Sequence, residues 1–158
     1  MPDLLVKLYD LDFDQHPKEY FEDDYKIVRA LPLDKSKILK FIDENFDKVW
    51  VDECEKSFSN QPVSCFIAVK EKKVIGFACY DATALGFFGP TGVEDQARGV
   101  GIGKKLLFSC LKDMWDNEYA YAVIGWTTDR SIDFYKKSVG AIEIPDSYPG
   151  IYKRMVDY

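Results

Sequence analysis

The stretch from Leu85 to Trp115 restricts the fold more than any other part of the chain. It opens with an apolar, strand-like run, Leu85 to Val93 (LGFFGPTGV), and passes through Arg98-Gly99-Val100-Gly101-Ile102-Gly103-Lys104. Ile102, Leu106, Leu107, Cys110, Leu111, Met114 and Trp115 then recur at helical spacing. A strand that enters a helix through alternate glycines leaves several backbone N–H groups free at the helix N-terminus. With the helix dipole, those groups make an anion site suited to a pyrophosphate. Glycine is required where the backbone must approach phosphates closely or take a positive φ. Lys104 and Lys105 add positive charge beside the turn.

Three nucleotide motifs compete for this turn. A Walker loop needs Gly-x-x-x-x-Gly-Lys-Ser/Thr, but Arg98 and Lys105 stand at two of its fixed positions. The dinucleotide fingerprint Gly-x-Gly-x-x-Gly meets Lys104 if begun at Gly99 and Leu106 if begun at Gly101. Arg/Gln-x-x-Gly-x-Gly/Ala is matched in full by Arg98, Gly101 and Gly103.

Around the turn the chain alternates between strand and helix patterns. Leu4 to Leu8 reads as a short edge strand and Tyr25 to Leu31 as a firmer one, ended by Pro32. Asp34 stands where a cap belongs, before a helix marked by Ile38, Leu39, Phe41, Ile42 and Phe46. A second helix is expected from Val49 to Phe58. Cys65 to Val69 and Val74 to Tyr80 flank Lys-Glu-Lys-Lys as a hairpin. Pro90 within the next strand demands an edge or an irregularity. Tyr119 to Trp126 is apolar enough for a central strand. Asp129 is placed to cap a helix whose apolar residues are Ile132, Phe134, Tyr135 and Val139, with Gly140 as its stop. Ala141 to Ile144 and Ile151 to Val156 are expected as closing strands. This order predicts a mixed α/β sheet, antiparallel at first and later joined by a crossover helix.

Composition narrows the function classes. A chain of 158 residues with 47% hydrophobic residues fits one domain, 1–158, with a real core. A formal charge of −6 argues against general nucleic-acid binding. No apolar run reaches the roughly 20 residues of a membrane helix, and Met1 to Asp10 lacks a signal-peptide core, so a cytoplasmic protein without a membrane partner is expected. Cys54, Cys65, Cys79 and Cys110 form no Cys-x-x-Cys pair and His16 is the single histidine, so no metal site is predicted and the thiols read as buried and reduced. Asp10 to Asp24 holds seven carboxylates against Lys18, either as a solvated face or as a field that draws in a cationic amine.

The run Val93-x-x-x-x-Arg98-Gly-x-Gly-Ile-Gly with its amphipathic helix resembles the acetyl-CoA motif of the GNAT superfamily of N-acyltransferases. Asp129-x-x-Ser-Ile-x-Phe134-Tyr135-Lys-Lys resembles that superfamily's second signature. The resemblance implies an acyl-CoA N-acyltransferase fold, a mixed central sheet with splayed strands flanked by helices. It implies an acetyl-CoA-dependent N-acetyltransferase that moves an acetyl group onto an amine of a small molecule or peptide by direct attack in a ternary complex. The backbone of Arg98, Gly99, Val100, Gly101, Ile102, Gly103 and Lys104 would hold the pyrophosphate. Val93 would pair with the pantetheine arm and polarise the thioester carbonyl, and Asp129 belongs to the second signature's cofactor contact. Tyr135 stands where the family places a general acid for the departing thiolate, while Phe134 reads as core.

Departures from the family pattern are specific. The histone-acetylating branch has a glutamate where Phe87 stands here, which leaves Asp81, Glu94 and Asp95 as candidate bases acting through water or as plain turn and surface carboxylates. Asp129 replaces the usual asparagine, and Ala141 the usual aromatic. Trp50, Asp52, Phe87, Phe88 and Trp126 are candidate lining residues for the acceptor. A CoA-binding sensor of the same fold without turnover is the alternative reading, and a homodimer is common in the superfamily.

Overall fold

The computed structural model describes residues 1–158. In chain order the elements are β1 (Leu4–Lys7), β2 (Tyr20–Phe21), β3 (Lys26–Arg29), α1 (Lys35–Asn45), α2 (Lys48–Ser57), β4 (Cys65–Lys70), β5 (Lys73–Tyr80), β6 (Phe87–Val93), α3 (Ile102–Asp116), β7 (Tyr121–Ile124), α4 (Asp129–Val139) and β8 (Ile142–Glu143). Eight strands form one sheet in the order β2-β3-β4-β5-β6-β7-β1-β8. Every neighbouring pair is antiparallel except β6 and β7. One sheet face packs on α3 and α4 through a large cluster that includes Leu106, Leu111, Met114, Ile132 and Tyr135. The other face packs on α1 and α2 through a smaller cluster around Ile38, Ile42 and Phe77.

The hairpin read from Cys65 to Tyr80 is β4–β5, and it forms the middle of the sheet. Pro90 is accommodated as its chemistry requires. β6 pairs with β7 only at Phe87↔Val123 and Phe88↔Ile124, so beyond Phe88 its outer edge is free and a missing N–H costs no ladder bond. The β5–β6 register also shifts between Ala78 and Tyr80, opposite this segment.

Several expectations are corrected. Leu4 to Leu8 is not an edge: β1 lies inside the sheet between β7 and β8. Ile151 to Val156 is not a strand, because Gly150–Arg154 turns as a 3-10 helix. The place beside β7 that a closing strand would take is filled by β1, and Pro149-Gly150, with Gly150 at φ 63°, turns the chain instead. Phe134, read as core, and Trp115, placed in the apolar stripe of its helix, are each 40% exposed at the margins of their stripes. Asp34 precedes α1 but its side chain makes no cap bond.

Asp129 is likewise not the cap of α4. Thr128 is: its Oγ1 accepts from the Ser131 N–H at 3.4 Å and lies 3.0 Å from the Ser131 hydroxyl. Gly140 ends the helix at φ 64°, a conformation open to glycine at little cost. Thr128→Ala is expected to destabilise the protein by about 1 kcal/mol, read from a denaturant midpoint at unchanged slope.

Candidate functional site

Because β6 and β7 run parallel, both helices that follow them begin at the same end of the sheet. The strands separate after Phe88 and Ile124, and α3 and α4 start on either side of the opening. A cleft at the carboxyl ends of parallel strands, flanked by helix N-termini, is a recurrent place for anionic ligands.

The glycine turn supplies one wall. Gly99 and Gly101 take φ 90° and 83°, and Gly101 is the cap residue of α3. The backbone N–H groups from Gly99 to Lys104 donate to no acceptor within the protein; the first helical bond at this end is Lys105 N–H to Gly101 O, 3.1 Å. They form an open row of donors at the positive end of a four-turn helix. Arg98 does not point at them. Its Nε donates to Val93 O at 3.2 Å and its guanidinium pairs with Asp95 at 3.2 Å, so it folds the loop from β6 to α3. Lys105 is also engaged, with Tyr25 Oη at 2.6 Å and Glu22 at 3.2 Å, leaving the exposed Lys104 as the free cation of the pair. Val93 is buried beneath the turn, with its side chain over Gly76 and near Gly103. Ile102 faces the core, whereas Val100 is exposed.

The second wall belongs to β7 and α4. Asp129 is exposed in the first turn of α4. Tyr135 lies two turns along on the buried face, its ring edge-on to Phe88 at 6.3 Å. Phe88 is the last β6 residue paired to β7, so Tyr135 packs where the cleft begins. Burial pushes its hydroxyl well above the ordinary tyrosine range, which keeps the proton on the oxygen.

The opposite sheet face holds a group of which sequence reasoning named Trp126 but missed Glu53 and Tyr152. Trp126, at φ 53°, stacks on Tyr152 with centroids 4.4 Å apart and planes 8° from parallel. Its backbone N–H donates to Asp3 Oδ1 at 3.0 Å, which ties the end of β7 to the start of β1. The Tyr152 hydroxyl sits over Gly125, so a Cβ there would have to displace it and would press on Phe87 at 3.0 Å. Glu53 of α2 reaches the same corner, where the Thr83 hydroxyl bonds its carboxylate. Burial raises the Glu53 carboxyl above its usual value, and the Thr83 bond pulls the other way. The available signal was the stripe Trp50, Glu53, Cys54, Ser57 at helical spacing, in which an acid stands among inward-facing residues.

The remaining sequence candidates divide. Phe87 and Trp126 come to this corner. Trp50 packs on Phe46 and Phe77 in the α1–α2 layer, and Asp52 is exposed. Asp81 is a structural carboxylate, accepting from Gly86 N–H at 2.7 Å and from the Tyr119 hydroxyl. Asp95 is held by Arg98, and Glu94 is half-buried with its N–H bonded to Ile75 O at 2.9 Å.

Residues 5–141 match the sequence profile of the Acetyltransferase (GNAT) family. The chain belongs to this family. The GNAT assignment accounts for the parted strands and the glycine turn together. Among solved structures, a GCN5-related glucosamine N-acetyltransferase region of a fungal multi-domain β-N-acetylglucosaminidase superposes with TM-score 0.68 at 15% identity, over 90% of this chain and 19% of that one. A GCN5-related N-acetyltransferase from Sphaerobacter thermophilus gives TM-score 0.66 at 17% identity, over 90% and 48%. A GNAT acetyltransferase from Brucella melitensis, crystallised with acetyl-CoA, gives TM-score 0.55 at 16% identity, over 72% and 82%. The GNAT chain thus spans about half of the Sphaerobacter protein and a fifth of the fungal one. No curated protein sequence matches it at a significant level. No helix of this GNAT chain is long and apolar enough to cross a membrane.

Proposed function

We propose that residues 1–158 act as one acetyl-CoA-dependent N-acetyltransferase domain that acetylates an amine of a small molecule or peptide by direct attack in a ternary complex. One observation carries this reading: the parting of β6 and β7 at Phe88 and Ile124 beside the open N–H row from Gly99 to Lys104. Acetyl-CoA supplies the thioester whose acyl carbon the amine attacks. The N–H row and Lys104 fit its pyrophosphate, and the free edge of β6 from Gly89 to Val93 fits the amide-bearing pantetheine arm. Asp129, in the first turn of α4, lies at the opposite side of the cleft mouth. Tyr135 approaches from the α3–α4 face and holds a proton to give to the departing sulfur. Glu53, Trp126 and Tyr152 lie on the opposite face, where an acceptor would enter. A carboxylate beside stacked aromatics suits a cationic amine, through charge and the ring faces.

Calorimetric titration with acetyl-CoA, CoA and ATP, followed by thiol release with a panel of amines, tests the proposal. Binding of acetyl-CoA and CoA in preference to ATP, with thiol release stimulated by one amine class, is the expected result. Binding with no turnover on any amine would favour a CoA sensor, and no binding would remove the reading altogether.

A further inference from the structure

Glu53 is a half-buried carboxylate without a counter-ion. No lysine, arginine or histidine pairs with it, in contrast to Glu55 on the same helix, which Lys35 holds. Its one protein hydrogen bond comes from the Thr83 hydroxyl, in the loop between β5 and β6. A charge drawn partly out of water and served by a single hydroxyl leaves room for a positive partner. The neighbouring carboxylates are already occupied, Asp81 by Gly86 N–H and the Tyr119 hydroxyl, Asp3 by the backbone N–H of Trp126.

Strand alternation puts this free carboxylate beside the cleft. Phe88 turns toward Tyr135, so Phe87 turns to the α1–α2 face. There the Phe87 ring and the Tyr152 hydroxyl close over Gly125, the residue after the last β7 position paired to β6. α2 packs across β5 and β6, and Glu53 lies close enough to Tyr152 that its charge opposes ionisation of the phenol. The parting of β6 and β7 is thus flanked by Tyr135 on one face and by Glu53 with the Trp126–Tyr152 stack on the other. We infer that Glu53 is the catalytic residue that receives the acceptor as a primary alkylammonium ion and takes its proton, an inference that rests on the acetyltransferase reading above. The ammonium gives one proton to Glu53, which passes it to solvent. The freed lone pair forms the C–N bond at the acyl carbon. The C–S bond then breaks, the sulfur leaves with the Tyr135 proton, and the second proton shed by the nitrogen returns to Tyr135. Burial and the nearby Asp47 raise the Glu53 carboxyl, which makes it a stronger base, while the Thr83 bond pulls the other way. Tyr152, the other titratable group facing it, is raised by burial and stays protonated.

The test is steady-state kinetics of the full chain with an alkylamine that supports thiol release, followed from about pH 7 to the amine's own pKa of about 10. Wild-type kcat/KM for the amine should be level over this range, because the carboxylate accepts the proton of the cationic form. Glu53→Gln should be about 10²–10⁴-fold slower at pH 7 and should gain about tenfold per pH unit, as only the neutral amine then reacts. Its acetyl-CoA affinity, read by calorimetry, should match wild type and shows that the variant is folded. A tenfold-per-unit rise in wild type itself, or a Glu53→Gln profile level at the wild-type rate, would overturn the role of Glu53 and leave the acetyltransferase standing. The wild-type profile can overturn it even where Glu53→Gln does not fold. No thiol release from wild type with any amine would remove both.

Discussion

Replacing Asp113 by alanine is expected to destabilise the fold by about 3–5 kcal/mol, the range for removing one partner from a buried, hydrogen-bonded ion pair. The carboxylate is 1% exposed on α3 and serves four donors. Arg29 binds it in a fork, at 3.0 and 2.8 Å, and also donates to Val63 O at 2.7 Å. Tyr80 donates at 2.6 Å and Lys18 lies 3.1 Å away. The network thus ties α3 to β3, β5 and the segment before β2. Burial alone would raise the Asp113 carboxyl, but the bonds from Arg29 and Tyr80 outweigh it and hold the group below the usual carboxylate range. The sign of the pH effect follows. The stabilisation is complete above the unfolded value of about 3.9 and is lost as pH falls through the lower folded value. Wild type should lose melting temperature in acid, and Asp113→Ala should lose less of its smaller stability over the same interval. A variant within about 0.5 kcal/mol of wild type in denaturant melts would show the network to be energetically neutral.

Removing only the Tyr135 hydroxyl, as Tyr135→Phe, is expected to lower kcat by about 10²–10⁴-fold if that group protonates the departing sulfur. Acetyl-CoA affinity should be unchanged, because the ring keeps its packing on Phe88 and the N–H row is untouched. Since burial raises the hydroxyl above the ordinary value of about 10, the wild-type rate should not fall through ionisation of Tyr135 below that pH. Steady-state kinetics with the acceptor found by thiol release, beside acetyl-CoA titration of both forms, makes the comparison. Equal kcat in the two proteins would leave Tyr135 as a packing residue.

What could be read in advance was local. The turn from Arg98 to Lys104, the β4–β5 hairpin and the Gly140 stop follow from backbone chemistry that each short segment carries itself. The parted strands were inferred by resemblance, not from spacing, and the free edge at Pro90 fits them. What could not be read depends on partners remote in sequence. Nothing in Leu4–Lys7 says that it pairs with β7, and that pairing in turn removed the place expected for Ile151 to Val156. Phe134 and Phe88 look alike as letters, yet one is exposed and the other carries Tyr135, because helix rotation is set by the whole sheet. Cysteine spacing said only that the thiols were buried and reduced, whereas the β4–β5 register and the α2 stripe bring three together. Glu53 and Tyr152 were missed for the same reason: their shared corner exists only once α2 and the C-terminal turn have both docked.

The position of β1 has a consequence for how the protein is assembled on the ribosome. Leu4 pairs with Ile124, so β1 waits for a partner made about 120 residues later. At about 5–20 residues per second that delay is several seconds to tens of seconds. During it the hairpin layers of β3 to β6 can form, while Leu4, Val6 and Leu8, fully buried in the finished protein, have nothing to cover them. Closing so long a loop adds a search that local elements do not need. The ligand cleft, which requires β7 as its far wall, is therefore a late product of biosynthesis, and a nascent chain halted before Ile124 carries the anion-binding turn without the strand that completes the cleft.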